Sequence, residues 1–472
     1  MQKLFQSCKE MDKRCYDEYG LSEEILMEHA AEGMADIIKS KFSKGSSILI
    51  VAGQGNNGAD GVVLARLLHK EYRVKLCMPF GLFEKFSSDI AKLQYNRAVK
   101  LKIDIIDEVQ EADIVVDALF GAGLNRELDS ETQKIVNQMN TLDGYKIACD
   151  IPTGLNRYGI AYPVAFVADT TVTMGSYKEA LFGEYAKEYV GEIIRVDLGV
   201  SNILYEDGFE SNAMLLEERD YNPPYRKGLI VHKGSFGHAS IYCGQKSGAA
   251  IMSAMAATRF GAGLTTLVVD EPISHPPYLM SDSSLPSKTT AIAIGMGLGN
   301  HFESERLKRE VIDSNIPLLL DADALSMPLL LETLKRSDRE IVITPHPKEF
   351  SKMWKILSGE SLSVEYIQQN RFDIARVFSQ AYPDVTLLLK GANMIIARDN
   401  MLFVNHLALP VLAKGGSGDV LSGLIASLLA QGYTPLKATI TASLAHTKIA
   451  QNYTGADFSL TPNDLIAGIG KL

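Results

Sequence analysis

The chain has 472 residues, 46% hydrophobic and 22% charged, an ordinary globular composition whose length suits two domains of about 200 and 250 residues better than one core. Its 47 Lys and Arg against 57 Asp and Glu give a formal net charge of −10, so without a basic cluster it is poorly suited to nucleic acid or an anionic membrane. It can still bind an anionic cofactor, since backbone N–H groups and a few local cations suffice inside a cleft.

The first residues, MQKLFQSCKEMDKR, hold no apolar run, so no secretory signal is expected. The apolar stretch 420–430 is shorter than the ~20 residues a membrane helix needs. Cys8, Cys15, Cys77, Cys149 and Cys243 are scattered without a CxxC, which fits reduced thiols and a cytoplasmic protein. Short β-branched runs alternate with helical segments. In the first half they lie at 48–52, 74–78, 114–118, 147–149 and 171–174, and continuous runs of this kind suit strands buried on both faces of a parallel sheet. The second half repeats the pattern at 239–243, 264–269, 291–294, 318–320, 341–343 and 385–389. The acid-rich stretch 201–227, with Pro223-Pro224, breaks the rhythm. The linker is placed at 205–225, between domains 1–210 and 211–472, and both halves read as α/β with covered sheets. Helices are predicted over 419–431 and, after Pro435, over 436–452.

After the first strand stands Gly53-Gln54-Gly55-Asn56-Asn57-Gly58-Ala59-Asp60-Gly61, a G-x-G-x-x-G match before a helix predicted over 62–69. The acid expected about 20 residues on, at the next strand end, is missing where Met78-Pro79-Phe80-Gly81 stands, so a standard NAD-dehydrogenase site is not expected. Asn56, Asn57 and Asp60 instead crowd the turn with oxygen and hydrogen-bonding groups. Two further strand ends present Asp117, followed by the glycine-rich Gly121-Ala122-Gly123, and Asp150 with Thr153. Carboxylate, amide and hydroxyl oxygens on three neighbouring strand ends suit a hard cation. Ordinary capping of the following helices by the same residues is an equal alternative.

The sharpest motif is Lys414-Gly415-Gly416-Ser417-Gly418-Asp419 ahead of an apolar helix. Glycines let several N–H groups point at one place, and the helix N-terminus adds positive potential there. That suits the charge on a transferring phosphoryl group, and Asp419 in the same turn can take a proton from a substrate hydroxyl. Four other strand ends carry distinctive turns: Gly295-Met296-Gly297-Leu298-Gly299, Asp321-Ala322-Asp323-Ala324, Thr344-Pro345-His346-Pro347-Lys348-Glu349 and Lys390-Gly391-Ala392-Asn393. In open α/β sheets such ends face the ligand. Taken alone, His346 between two prolines reads as a structural loop histidine.

These motifs, with Lys233-Gly234-Ser235-Phe236-Gly237, resemble in order those of the NAD(P)H-hydrate dehydratases over roughly 225–472. The resemblance implies a ribokinase-like α/β domain that dehydrates hydrated nicotinamide cofactor, NAD(P)HX, with Mg²⁺ and ADP or ATP through a phosphorylated intermediate. It implies Asp419 as base, a nucleotide site of Lys390, Gly391, Ala392, Asn393, Met394 and Gly418, and NAD(P)HX contacts from Ala249, Gly297, His346 and Asp419. Met296, Lys348, Asn393 and Lys414 stand where that family usually has Pro, Gly, Gly and Thr. The first half, through Leu26-Met27-Glu28, 55–61, 116–123, 150–154 and Gly175-Ser176-Tyr177-Lys178, resembles the NAD(P)H-hydrate epimerases. This implies a Rossmann-like three-layer domain that interconverts the R and S epimers of NAD(P)HX at C6. Carried over residue by residue, K⁺ is bound by Asn57, Asp117 and Thr153. Substrate is contacted by Asn56, Asn57, Gly58, Ala59 and Asp60, and by Gly121, Ala122, Gly123, Leu124, Asn125, Arg126 and Glu127. Asp150 is the acid/base and Lys178 its helper. Ala59 and Thr153 stand where that family usually has Gly and Ser, and Thr keeps the oxygen.

The combined reading is a bifunctional NAD(P)H-hydrate repair enzyme, an isomerase and a lyase. Its expected partners are small molecules, with no nucleic acid and no membrane, and its expected assembly is a homo-oligomer. The alternatives are a ribokinase-like small-molecule kinase fused to a nucleotide-binding module, or a first half that only holds ligand.

Overall fold

The computed structural model describes residues 1–81, 88–124, 126–299 and 304–472. It divides into two compact units, Lys3–Ser211, and Asn212–Leu472 together with Met1–Gln2.

The first unit is built on a seven-stranded parallel sheet. Its strands are β1 (Ser47–Ala52), β2 (Arg73–Cys77), β3 (Asp104–Ile106), β4 (Ile114–Ala118), β5 (Tyr145–Cys149), β6 (Thr170–Met174) and β7 (Glu192–Val196), in the order β3-β2-β1-β4-β5-β6-β7. Alternate side chains serve opposite faces, as the two-residue period of a strand requires. Ile48, Ile50 and Ala52 pack with helices α1 (Glu23–Lys41), α2 (Asn56–Leu68) and α3 (Asp89–Lys100). Leu49 and Val51 pack on the other side with Val136 and Met139 of α4 (Ser130–Thr141). This is a Rossmann-like three-layer fold. The strand order reverses between β1 and β4, which opens a crevice at their C-terminal ends.

The helix predicted over 62–69 starts six residues earlier, at Asn56. The turn Gly53-Gln54-Gly55 is enough to leave the strand, and the polar Asn56, Asn57 and Asp60 become the first helical turns. The start sits tightly on the sheet: a Cβ added to Gly58 would lie 1.9 Å from the Gly53 carbonyl oxygen. Gly58→Ala is therefore expected to destabilise this unit by about 1–3 kcal/mol through forced backbone movement, measurable as a lower unfolding midpoint.

In the second unit the strands are β8 (Ala213–Leu215), β9 (His238–Tyr242), β10 (Leu264–Val268), β11 (Met280–Asp282), β12 (Ala291–Ile294), β13 (Leu318–Leu320), β14 (Ile341–Ile343), β15 (Val385–Leu389), β16 (Met394–Arg398) and β17 (Met401–Asn405). They run β11-β10-β9-β12-β13-β14-β15-β16-β17-β8. The stretch from β11 to β15 is parallel, and β16 pairs antiparallel with β15 and β17. This is an α/β domain with a covered, largely parallel sheet, as the sequence predicts. Helices α5 (Ser247–Arg259), α8 (Ser417–Ala430) and α9 (Pro435–Gln451) bury their apolar faces in one cluster with the sheet. Helices α6 (Pro347–Ser358) and α7 (Arg371–Ala381) each follow a ligand-facing turn or brace one.

Candidate functional site

Each unit carries a site at the C-terminal ends of its parallel strands. In the first, a cavity of about 860 Å³ opens beside Asn56, Asn57 and Asp60 of α2, the loop 119–124 after β4, and Asp150 after β5. That volume is in the range of small-molecule sites. Its remaining wall includes Cys8, Asp12, Tyr16, Lys178 and Tyr205.

Asp150 leaves its strand with φ 68°, a left-handed conformation that is uncommon outside glycine and clusters at functional sites. Its Oδ1 receives the Lys178 ammonium at 2.5 Å, the Met174 N–H at 3.2 Å and the Thr173 hydroxyl at 3.3 Å. Lys178 is fully enclosed. Burial alone would lower its pKa, but the Asp150 charge and hydrogen bond reverse this and raise it. Lys178 is thus held as the ammonium. A Cβ on Gly121 would lie 2.7 Å from Asn57 Oδ1 and 3.4 Å from Asp150 Oδ2, so the loop approaches both groups only as glycine.

Asp117, one residue before the end of β4, is 0% exposed. It accepts the Thr153 N–H and hydroxyl, each at 2.7 Å, and the Leu119 N–H at 3.2 Å. Burial pushes its pKa up to about 6 against those donors. No Lys or Arg pairs with it among the described residues. A buried carboxylate served only by neutral donors, with hydroxyl and amide oxygens nearby, is a setting that a hard cation satisfies. Among the described residues no group of three or more His, Cys, Asp and Glu could hold a metal; the groups that meet at Asp117 are a carboxylate and a hydroxyl.

In the second unit, Gly416 turns with φ 92° into α8, whose first turn is Ser417-Gly418-Asp419. The Ser417 N–H donates to the Lys414 carbonyl at 3.2 Å, and those of Gly418 and Asp419 have no partner within the helix. A Cβ on Gly418 would lie 3.4 Å from Lys390 Nζ, so an ammonium stands at the helix mouth. Lys390 is aimed by a buried carboxylate: its Nζ lies 2.7 Å from Asp321 Oδ1, and Ser422 donates to Asp321 Oδ2 at 2.6 Å. Burial would raise the Asp321 pKa, but Lys390 and its donors lower it. Burial and the Asp321 charge push Asp419 up to about 6, against the pull of Lys390. The Asp419 carbonyl accepts the Ser253 hydroxyl of α5 at 2.7 Å. His446 shares a 3.1 Å hydrogen bond with the Ser417 hydroxyl. Burial pushes it down to about 4, so it is neutral.

The turn 390–393 is braced from behind by Arg371. Its guanidinium donates to the carbonyls of Leu389 and Asn393 at 2.9 Å and of Lys390 at 3.1 Å. Gly297, with φ 63°, meets the start of α5: a Cβ there would lie 2.4 Å from the Lys246 carbonyl and 3.2 Å from Ala249 Cβ. His346 caps α6, its Nδ1 accepting the N–H groups of Lys348 and Glu349 at 3.2 and 3.3 Å, while Glu349 returns to the His346 N–H at 2.9 Å. The Lys414 ammonium is taken by the Phe458 carbonyl at 2.7 Å.

A family model described as NAD(P)H-hydrate dehydratase matches residues 239–470, and one described as YjeF-related protein N-terminus matches 23–180. The bifunctional NAD(P)H-hydrate repair enzyme Nnr of Helicobacter pylori is 37% identical over 483 residues, covering 100% of both chains. The chain belongs to the family of bifunctional NAD(P)H-hydrate repair enzymes. The enzyme of that name from Dictyoglomus turgidum is 34% identical, over 97% of this chain and 95% of its own. Among solved structures, the ADP/ATP-dependent NAD(P)H-hydrate dehydratase of Bacillus subtilis co-crystallised with ATP/Mg2+ is 25% identical, with TM-score 0.45, over 54% of this chain and 94% of that one. The family uses ADP or ATP and small-molecule substrates. No helix among the described residues is long and apolar enough to cross a membrane.

In this repair-enzyme chain the structure brings Asn56, Asn57, Asp60, Gly121, Ala122, Gly123, Leu124, Arg126, Asp150 and Lys178 to one cavity wall. Gly58 and Ala59 are buried in α2 beneath it, and Glu127 is exposed just beyond it. Asn125 lies outside the described residues. Asp117 and Thr153 meet directly. Lys390, Gly418 and Asp419 converge at the mouth of α8, whereas Met394 is buried at the start of β16, where its sulfur accepts the Ser443 hydroxyl at 3.4 Å. The sequence reading assigns no part to the cavity residues Cys8, Asp12 and Tyr205, which lie outside the 23–180 match, nor to Arg371, Ser253 and His446. It marks Asp321 as a strand-end acid without giving it a role.

Proposed function

We propose that the unit Lys3–Ser211 interconverts the R and S epimers of NAD(P)HX at C6, and that the unit Asn212–Leu472 converts the S epimer to NAD(P)H with ADP or ATP. The observation that carries this reading is Asp419 in the first turn of α8, beside an ammonium held by a buried carboxylate. A C6 hydroxide is a poor leaving group. Asp419 takes the hydroxyl proton, and the oxygen attacks the terminal phosphoryl group of the nucleotide. The Gly418 and Asp419 N–H groups of α8 and Lys390 face the charge of that group. Phosphate then departs as the C6–O bond breaks, a C5 proton is lost and the C5=C6 bond forms.

On this reading Lys390, Gly391, Ala392, Asn393, Met394 and Gly418 hold the nucleotide, and Ala249, Gly297, His346 and Asp419 hold NAD(P)HX. Bound with the nucleotide, Mg²⁺ would supply positive charge to its phosphates. Asp419 is the carboxylate left to face it, since Asp321 is occupied by Lys390 and Ser422 and Glu349 by the His346 cap. In the first unit Asn57, Asp117 and Thr153 hold K⁺, which when bound supplies the missing counter-charge to Asp117. Residues 56–60 and 121–127 take the substrate, with Asp150 as acid/base and Lys178 holding it. The assembly proposed is a cytoplasmic homo-oligomer, which sedimentation measures.

The test is incubation of the protein with an R/S mixture of NADHX and ADP or ATP, following NADH absorbance and nucleotide. The expected result is recovery from both epimers, with one terminal phosphate consumed per NADH. Full recovery without nucleotide contradicts phosphoryl transfer. Consumption of nucleotide without NADH marks the fused small-molecule kinase instead.

A further inference from the structure

Six carboxyl side chains line the cavity of the first unit: Asp129 and Glu131 at the start of α4, and four more, those of Asp12, Glu23, Asp60 and Asp150. Three of these four are satisfied by a neighbour. Asp150 has the Lys178 ammonium at 2.5 Å, Asp12 has the Tyr205 hydroxyl at 2.6 Å, and Glu23 has the Asn56 amide N–H. Asp60 accepts no hydrogen bond and joins no ion pair among the described residues. It stands in the second turn of α2 between the buried Ala59 and Gly61, with its side chain on the cavity wall. One enclosed ammonium is therefore shared unequally by two carboxyl groups on different elements. Asp150 has it at hydrogen-bond distance, and Asp60 lacks it.

We propose that Asp60 is the general acid of the epimerisation, with Asp150, which Lys178 holds at 2.5 Å, as the base. The inference rests on the epimerase reading and assigns the proton within it. C6 of hydrated nicotinamide is a hemiaminal carbon, bonded to both N1 and the hydroxyl. Asp60 gives its proton to that hydroxyl oxygen, the C6–O bond breaks with its electron pair going to the departing water, and the N1 lone pair forms the C6=N1 bond. A water adds to the opposite face of C6, the C6=N1 π pair returns to N1, and the proton lost by that water passes to Asp150. The product is the substrate with C6 inverted, and no oxidant or reductant is consumed. A proton returns from Asp150 to Asp60 through water before the next turnover in the same direction, and the reverse reaction starts from the exchanged state.

The electrostatics of the cavity agree with this order. Burial, then the charges of Asp150, Asp12 and Glu23, hold the Asp60 carboxyl well above the usual carboxylate range, with Lys178 opposing. Tyr16 and Cys149 are the other titratable groups in its field. The active form of Asp60 is the protonated one, so its contribution is present at low pH and lost as pH rises through its raised pKa.

The experiment compares wild type with Asp60→Asn and Asp60→Glu, measuring R-to-S conversion of NADHX by chromatography across pH, above the spontaneous rate. Wild type is expected to lose kcat on the alkaline side. Asp60→Asn is expected to lower kcat by about 10²–10⁴-fold, with KM within a few-fold and no alkaline limb in the residual rate. Asp60→Glu keeps a carboxyl and is expected to retain that limb. An unfolding transition of the first unit at the wild-type midpoint shows that the variants are folded. A loss confined to KM, or an Asn variant with near-normal kcat and an intact alkaline limb, overturns the assignment and leaves Asp60 a contact residue. A wild-type protein that does not interconvert the epimers at all overturns the epimerase reading itself.

Discussion

Asp419→Asn is expected to lower the rate of dehydration by about 10²–10⁴-fold, the usual loss for a general base, while nucleotide still binds and the epimers still interconvert. Asparagine keeps the shape of the side chain and leaves the helix mouth intact, because the groups that build it are elsewhere: Gly416 at φ 92°, the Lys390–Asp321 pair and the Ser253 bond to the residue 419 carbonyl. Only the ability to take a proton is removed. The pH profile supplies a second signature. Burial and the Asp321 charge hold Asp419 up near 6, and a base works in its ionised form. The kcat/KM of the wild type should therefore rise with pH through about 6 and level off above it. The residual activity of Asp419→Asn should lack that acid limb. Near-normal turnover in the variant, or an unchanged limb, would remove Asp419 from the chemistry.

The parts of the molecule that were legible in the sequence are those where one local signal suffices. Strands buried on both faces read as unbroken β-branched runs, and the predicted 48–52 and 385–389 correspond to Ser47–Ala52 and Val385–Leu389. The edge strands Asp104–Ile106 and Met280–Asp282 have three residues each, and the second is exposed throughout, so no apolar pattern marks them. The hairpin Met394–Arg398 and Met401–Asn405 did leave a signal. Asp399 and Asn400 take φ 49° and 59°, the left-handed pair of a two-residue hairpin that Asp and Asn favour. Ligand-facing strand ends gave the site acids Asp117, Asp150 and Asp321, because each follows or closes an apolar run, and the glycine-rich turn ahead of an apolar helix gave Asp419. The groups that tune those acids were not legible. Lys390 and Asp321 are 69 positions apart, and the cavity wall of Cys8, Asp12 and Tyr205 is assembled from segments distant in the chain. Cys8 and Cys15 at helical spacing fit ordinary core packing, and both are buried. Only folding reveals that Cys8 also edges the cavity.

Asp117→Ala should separate the two activities: normal dehydration of the S epimer, and consumption of the R epimer only at its spontaneous epimerisation rate. The substitution removes a formal negative charge that no cation offsets among the described residues, and with it the acceptor for the Thr153 N–H and hydroxyl. Thr153 also accepts the Phe120 N–H at 2.9 Å, so the loop beginning at Phe120 loses its anchor together with the oxygen that would hold K⁺. Both effects fall on the strand ends of the first unit, while Asp419, Lys390 and Asp321 belong to a separate core, and sites with no shared partners usually behave additively. Asp117→Asn refines the test. It keeps an oxygen and the approximate volume but not the charge, so if the cation is held by charge this variant should lose the K⁺ dependence as fully as alanine does. The measurement is chromatography of both epimers over time, with K⁺ or with a larger organic cation in its place. Wild type should slow when K⁺ is replaced, and neither variant should respond. Unchanged R-epimer consumption in Asp117→Ala would remove this cation site from the reaction. Loss of S-epimer dehydration in a folded variant would show instead that the two sites are energetically coupled.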